Sequence, residues 1–153
     1  MIVTCIKYNR SFQWIGNVFD PLRTSYTSSL TENSSKYPRT CFRPNFYYEA
    51  IEINVAKYDV YNFVADGQMK TVGYLYRDKF DPFRPFDASS YLITKGNDAG
   101  FSDQFRLNHF LEKEITYILV VTTFRENDTG SFTITAFGSN DVTMKHSGEY
   151  NRT

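Results

Sequence analysis

Two runs of apolar and β-branched residues towards the C-terminal end form the clearest pattern in the chain. The first, residues 115–124, reads ITYILVVTTF, and its middle is apolar at every position. Because a strand alternates its side chains between two faces, this run predicts a strand that is covered on both faces. The second, residues 131–137, alternates polar and apolar positions and predicts a half-exposed strand. The polar linker between them ends in Gly130, so we predict a β-hairpin.

Further short strands are predicted along the rest of the chain, separated by turn signals. The polar stretch Asp20–Arg39 shows no periodicity, and we interpret it as a loop that carries at most one short strand. About eight or nine strands at this spacing predict an all-β fold, a sandwich or a barrel. The segments with strand patterns are residues 2–8, 46–55, 60–65, 71–77, 91–94, 101–107 and, as a last edge strand, 140–144.

These patterns suggest three regions. Residues 1–45 hold an N-terminal strand and an extended loop segment, residues 46–144 form the sandwich body, and residues 145–153 are a tail. The chain carries 17 Lys plus Arg and 17 Asp plus Glu, so its net charge is zero. A neutral chain lacks the basic surface of a nucleic-acid binder, and we expect no nucleic-acid partner. No stretch is long and apolar enough to span a bilayer.

The cysteines and the glycosylation sequons indicate an extracellular setting. Cys5 and Cys41 lack metal-site spacing, and we predict one disulfide between them, the alternative being two free thiols. No signal peptide is visible, so if the protein is secreted we expect this to be a mature chain or a fragment of a longer protein. Four Asn-x-Ser/Thr sequons, of which the second and third fall in predicted loops, begin at Asn9, Asn33, Asn127 and Asn151.

Candidate chemistry is sparse. The sequence has no nucleophile elbow, zinc-binding helix or phosphate-binding glycine loop, and we expect no catalytic residues. Asp98 and Asp103, with Asp78 and Asp81, are weak calcium candidates, and turn residues bonded to their own backbone are the favoured alternative. Alternating tyrosines could form a carbohydrate-stacking platform, but such residues in strands are more often core; they are Tyr47, Tyr48, Tyr74 and Tyr76.

Several short motifs follow one another in a familiar order: VYNF at 60–63, VGYLY at 72–76, Asn97-Asp98, YILVV at 117–121 and GSFTI at 130–134. This order resembles the bacterial pre-peptidase C-terminal domain and related modules that occur in tandem in large secreted or surface proteins. The resemblance covers about residues 46–142 and implies a jelly-roll-like β-sandwich in an extracellular setting without catalysis of its own. Some relatives bind calcium or polymers such as collagen, but Ala99 replaces the second acidic residue of the turn here.

The N-terminal apolar run, with Ile2, Val3 and Ile6, suggests self-association. A short strand followed by a polar linker can complete the sheet of its own domain or add to the sheet edge of a neighbouring copy. Head-to-tail repetition of such a contact makes a filament. We therefore expect a non-catalytic extracellular structural or adhesive module, N-glycosylated, with copies of itself as partners. The alternative is an accessory domain that binds carbohydrate or a protein polymer, with calcium as the one cofactor considered.

Overall fold

The computed structural model describes residues 3–8, 11–16, 20–39, 46–86, 92–96 and 104–148. Within these ranges every regular element is a β-strand, and no helix is present that could cross a membrane. The strands are β1 (Val3–Tyr8), β2 (Ser11–Gly16), β3 (Leu22–Leu30), β4 (Lys36–Tyr37), β5 (Phe46–Val55), β6 (Asp59–Gly67), β7 (Thr71–Arg77), β8 (Leu92–Gly96), β9 (Arg106–Leu111), β10 (Tyr117–Thr123), β11 (Gly130–Gly138) and β12 (Val142–His146).

Ten of these strands form a sandwich of two antiparallel sheets. The four-stranded sheet has the order β3-β11-β6-β9, and the six-stranded sheet has the order β12-β5-β10-β7-β8 with β4 beside β5. Among β3 and β5 to β11, strands that follow each other lie in opposite sheets, except β7 and β8, which pair with each other. This strand order is that of a jelly roll, which confirms the predicted fold class. β12 extends the larger sheet beyond β5.

The predicted hairpin between β10 and β11 is wrong. β10 pairs with β5 and β7 in the larger sheet, whereas β11 pairs with β3 and β6 in the smaller one. The character of each strand was predicted correctly, because β10 is buried at every position and β11 alternates between buried and half-exposed positions. The linker, residues 124–129, connects the two sheets. The local pattern of polar and apolar residues does not distinguish such a connection from a hairpin within one sheet.

Both faces of β10 are covered, as its continuous apolar run predicts. Leu119 and Val121 point into the main core between the two sheets. Val120 points the other way, into a second cluster on the outside of the larger sheet. There Phe80, from the segment after β7, and Tyr37 of β4 pack over the sheet and make edge-on ring contacts with each other. The larger sheet is therefore an interior layer around β10.

β3 overturns the interpretation of Asp20–Arg39 as a loop. This segment pairs with β11 along nine residues, from Leu22↔Gly138 to Leu30↔Gly130. Most of its inward-facing positions are polar and half-buried, so the strand lacks the apolar alternation that would reveal it. Residues 22–30 and 36–37 thus pair into the sheets of the body that we delimited as 46–144.

Other element bounds shift by a few residues. β5 and β7 occupy the predicted ranges 46–55 and 71–77. β9 lies later than the predicted strand at 101–107, of which residues 101–103 fall outside the described part of the chain. β12 pairs with β5 as an edge strand and includes Lys145 and His146, so it extends into the predicted tail, residues 145–153.

Candidate functional site

One row of side chains crosses the whole outer face of the four-stranded sheet. The register places Arg23 of β3 beside Phe137 of β11, Phe137 beside Asn62 of β6, and Asn62 beside Asn108 of β9. These residues alternate with buried neighbours that point into the core, so the row faces outward. The guanidinium of Arg23 lies 5.5 Å from the centre of the Phe137 ring, and Asn108 Nδ2 donates a 2.7 Å hydrogen bond to Asn62 Oδ1.

An exposed aromatic pair lies next to this row. Phe110 of β9 is opposite Val60 of β6 and is 56% exposed. Tyr58, in the turn between β5 and β6, is 66% exposed and stacks on Phe110 with a centroid distance of 5.6 Å and an angle of 14°. We call the group formed by Tyr58, Phe110, Phe137, Asn62 and Asn108 the aromatic–amide surface. Large apolar side chains grouped at a surface often mark a binding site.

A shallow hollow of about 400 Å³ opens beside Phe137 and Asn62. Asp59 lies at its margin, where its carboxylate accepts hydrogen bonds from the Ser139 hydroxyl and, at 2.7 Å, from the Val60 amide. The Ser139 hydrogen bond and then the Val60 amide lower the pKa of Asp59, so this group is ionised at neutral pH. The hollow is lined by Pro21, Asp59, Val60, Asn62, Phe137, Gly138 and Ser139.

A second polar site lies where the open edges of the two sheets meet. Glu49 of β5 shares the inward face of its strand with core residues and is only 8% exposed. The Tyr26 hydroxyl donates to Glu49 Oε1, the Ser28 hydroxyl donates to Oε2 at 2.6 Å, and His146 Nδ1 lies 3.3 Å from Oε1. Burial is the main cause that raises the pKa of the Tyr26 hydroxyl, and the hydrogen bond to Glu49 raises it further. This Glu49 cluster links β3, β5 and β12, and it borders a cavity of about 120 Å³.

The connectivity of the Glu49 cluster differs from that of a nucleophilic triad. In a triad the serine bonds to the imidazole and the imidazole bonds to the acid. Here Ser28 donates directly to the carboxylate, which also accepts from Tyr26. The buried carboxylate thus satisfies the hydroxyls of β3 and holds the two sheets together.

The structure decides the role of the four candidate tyrosines. All are buried, Tyr47 against the main core and the others in the cluster outside the larger sheet. The preferred assignment to the core is confirmed, and a stacking platform made of these residues is excluded. The exposed aromatic residues are different ones, among them Phe110 and Tyr58. The sequence does indicate that Phe137 faces outward. It is the aromatic residue on the polar face of the alternating run 131–137.

Two of the four sequons lie in described, exposed loops. Asn33 is exposed in the turn after β3, and Asn127 is exposed in the linker before β11. The side-chain oxygen of Asn127 accepts a 3.1 Å hydrogen bond from Lys36 Nζ. Asn9 and Asn151 lie outside the described residues, and glycosylation at all four positions stays a prediction.

The remaining predicted site residues are only partly described. Cys5 and the self-association residues Val3 and Ile6 are in β1, which pairs with β2, whereas Ile2 and Cys41 lie outside the described residues. The disulfide is therefore still a prediction.

The predicted calcium ligands are also only partly described. Asp98 and Asp103 lie outside the described residues, while Asp78 and Asp81 each approach a neighbouring arginine, Arg77 at 3.9 Å and Arg84 at 3.5 Å. Within the described ranges, no three His, Cys, Asp or Glu residues group as metal ligands.

A scan against protein-family models gave no match to this chain, and a search of curated proteins gave no similar sequence. The resemblance to the pre-peptidase C-terminal domain therefore continues to depend on the motifs between residues 60 and 134.

Proposed function

We propose that this chain is a non-catalytic structural or adhesive module of the extracellular space that associates with copies of itself by strand addition. The observation that carries the proposal is the open edge of β3. Within the described residues, this nine-residue strand pairs on one side only, with β11. Its sequence contains one charged residue, Arg23, and no proline. Natural edge strands are usually protected by charges, prolines, bulges or short length.

The other sheet edges are better protected. β12 has five residues and includes Lys145 and His146. β8 also has five residues, includes Lys95, and pairs with β7 through an irregular register. β9 has six residues and begins with Arg106. β3 is thus the longest edge and the one with the fewest protective features.

The N-terminal strand pair, β1 with β2, suits this edge. In the described part of the chain these two strands form a sheet of their own. An isolated pair of strands is marginally stable in water and gains stability when further strands join it. Each strand has six residues, enough to cover two-thirds of β3. If the pair adds to β3 of a neighbouring copy, the contact is heterologous and propagates as an open-ended assembly.

The surface chemistry supports an extracellular assembly. Asn33 and Asn127 are exposed sequon residues, and a glycan on either one would project from a loop. The net charge of zero leaves little repulsion between copies.

The test is the mass of the full chain in solution across a concentration series, measured by size-exclusion chromatography with light scattering. We expect the mass to rise with concentration, and we expect a variant that lacks residues 1–16 to stay monomeric with an unchanged melting temperature. Ile6→Lys should weaken association, whereas a control that lacks residues 149–153 should behave as the full chain. A full chain that is monomeric at every concentration would contradict the proposal, since the strand pair would then not join neighbouring copies.

A second candidate function, an accessory domain that binds a ligand, is favoured by the aromatic–amide surface. Its exposed Phe110 and Tyr58 lie on the outer face of the sheet, away from the β3 edge that strand addition would use.

A further inference from the structure

The aromatic–amide surface combines apolar faces with hydrogen-bonding groups. Phe110 and Tyr58 lie nearly parallel and are more than half exposed, so their outer surfaces are accessible to a ligand. Phe137 is partly exposed in the neighbouring row. Exposed rings of this kind provide flat apolar area at a small cost in conformational entropy.

Amide and hydroxyl groups surround these rings. The hydrogen bond between Asn108 and Asn62 uses one donor of the first amide and one acceptor of the second. It leaves the amide nitrogen of Asn62 and the amide oxygen of Asn108 with further capacity. On the same face, Thr27 and Thr133 pair through their hydroxyls at 3.0 Å, and Ser25 and Thr135 do so at 3.4 Å. The outer face of β3, β11, β6 and β9 is thus rich in neutral donors and acceptors.

Charges of both signs lie on this face. Arg23 and Arg106 face outward, and Arg23 lies 3.9 Å from the carboxylate of Asp20. Asp59 and Asp66 lie at the same sheet. Such a surface has no strong preference for an anion or a cation, so it favours a neutral ligand.

The size of the face indicates an extended ligand. The row from Arg23 to Asn108 crosses four neighbouring strands, a span of about 14 Å at the usual strand spacing. A shallow hollow of about 400 Å³ lies along it. A single small molecule would fill only part of this surface.

We propose that the aromatic–amide surface binds a neutral carbohydrate chain. Sugar rings present apolar C–H faces to aromatic rings and hydroxyl groups to amides and hydroxyls, which is the combination that this face offers. The stacked pair of Phe110 and Tyr58 presents an outer ring face to one sugar ring, and Asn62 with Asn108 binds hydroxyls of the next, near Phe137. The site is separate from the β3 edge, so the inference does not depend on the proposed self-association; it rests on the second candidate function and names the class of its ligand.

The test is affinity electrophoresis of the full chain in native gels that contain one neutral polysaccharide each: xylan, laminarin, hydroxyethyl cellulose, galactomannan or dextran. We expect retardation in at least one gel. Phe110→Ala and Asn62→Ala should each weaken the binding about tenfold, the effect of losing one stacking or hydrogen-bonding contact. The matched control is Phe83→Ala, because Phe83 is also 56% exposed but belongs to the segment after β7 and not to the four-stranded sheet.

Unchanged melting temperatures of these variants will show that they remain folded. Mobility that no polysaccharide alters, or equal retardation of Phe110→Ala and the unmodified chain, would overturn the carbohydrate assignment. Loss of self-association in Phe110→Ala without any polysaccharide effect would overturn it as well, since the surface would then bind a second copy. Deletion of residues 1–16 should leave the retardation intact, which separates this site from the strand-addition proposal.

Discussion

The hydroxyl of Ser28 donates a 2.6 Å hydrogen bond to the carboxylate of Glu49, and this bond joins the two sheets of the sandwich at their open edge. Ser28 lies on β3 in the smaller sheet and Glu49 on β5 in the larger one. The Tyr26 hydroxyl also donates to this carboxylate, so the buried Glu49 has two hydrogen-bond donors from the opposite sheet. β3 is therefore attached to the core by these polar contacts as well as by its buried apolar residue, Leu30.

Replacement of Glu49 should destabilise the protein strongly. In Glu49→Ala the hydroxyls of Tyr26 and Ser28 lose their acceptor, and we expect a loss of about 3 kcal/mol in the free energy of unfolding. Urea denaturation followed by fluorescence measures this quantity. Glu32→Ala, at an exposed position in the turn after β3, is the control and should change stability little. Equal stability of the two variants would show that the Glu49 cluster does not hold the sheets together.

Val120→Asp should abolish folding. Val120 is at the centre of β10, is 0% exposed, and faces the cluster outside the larger sheet. A carboxylate buried there without a partner costs several kcal/mol, a large part of the roughly 5–15 kcal/mol that stabilises a typical domain. Circular dichroism and soluble yield should both show an unfolded chain, while Ser131→Asp, at an exposed position of β11, should fold normally. A folded Val120→Asp protein would be incompatible with the observed position of β10.

Gly73→Ala should destabilise the larger sheet, and a smaller side chain at position 105 should restore part of the lost stability. A Cβ atom at Gly73 would lie 2.6 Å from Cε2 of the Phe105 ring, which is fully buried. Overpacking of this kind costs about 1–3 kcal/mol. The melting temperature of Gly73→Ala should rise again in the double variant with Phe105→Leu, although Phe105→Leu alone is destabilising. Additive losses in the double variant would mean that the two positions do not interact.

Buried tyrosines should make the protein unfold cooperatively in alkali. Burial raises the pKa of Tyr26, Tyr37, Tyr61, Tyr74 and Tyr76 above the ordinary value of 10.0. In the unfolded chain these phenols ionise near 10, so the stability that they contribute is complete below pH 10 and is lost as the pH rises towards their folded pKa values. Absorbance of tyrosinate at 295 nm and circular dichroism should therefore change together above pH 10. Ionisation of these five tyrosines near pH 10, with the fold retained, would contradict this prediction.

The candidate site could be predicted from the sequence only in part. Burial of Tyr47, Tyr48, Tyr74 and Tyr76 followed from their alternation in apolar strands, and the structure confirms it. Phe110 and Asn108 belong to β9, whose bounds were predicted too early, so their outward face was not recognised. Their proximity to Asn62 and Phe137 depends on the order β11-β6-β9, which strand patterns alone do not contain.

The sequence by itself determined the fold class, the central character of β10 and the half-exposed character of β11, because side-chain alternation within a strand is a local property. Tertiary structure alone decided that β11 crosses to the other sheet and that the polar segment 22–30 is the first strand of the jelly roll. Both depend on backbone hydrogen bonds between segments distant in sequence. Such bonds are open to any residue but proline, so they leave little trace in the order of side chains.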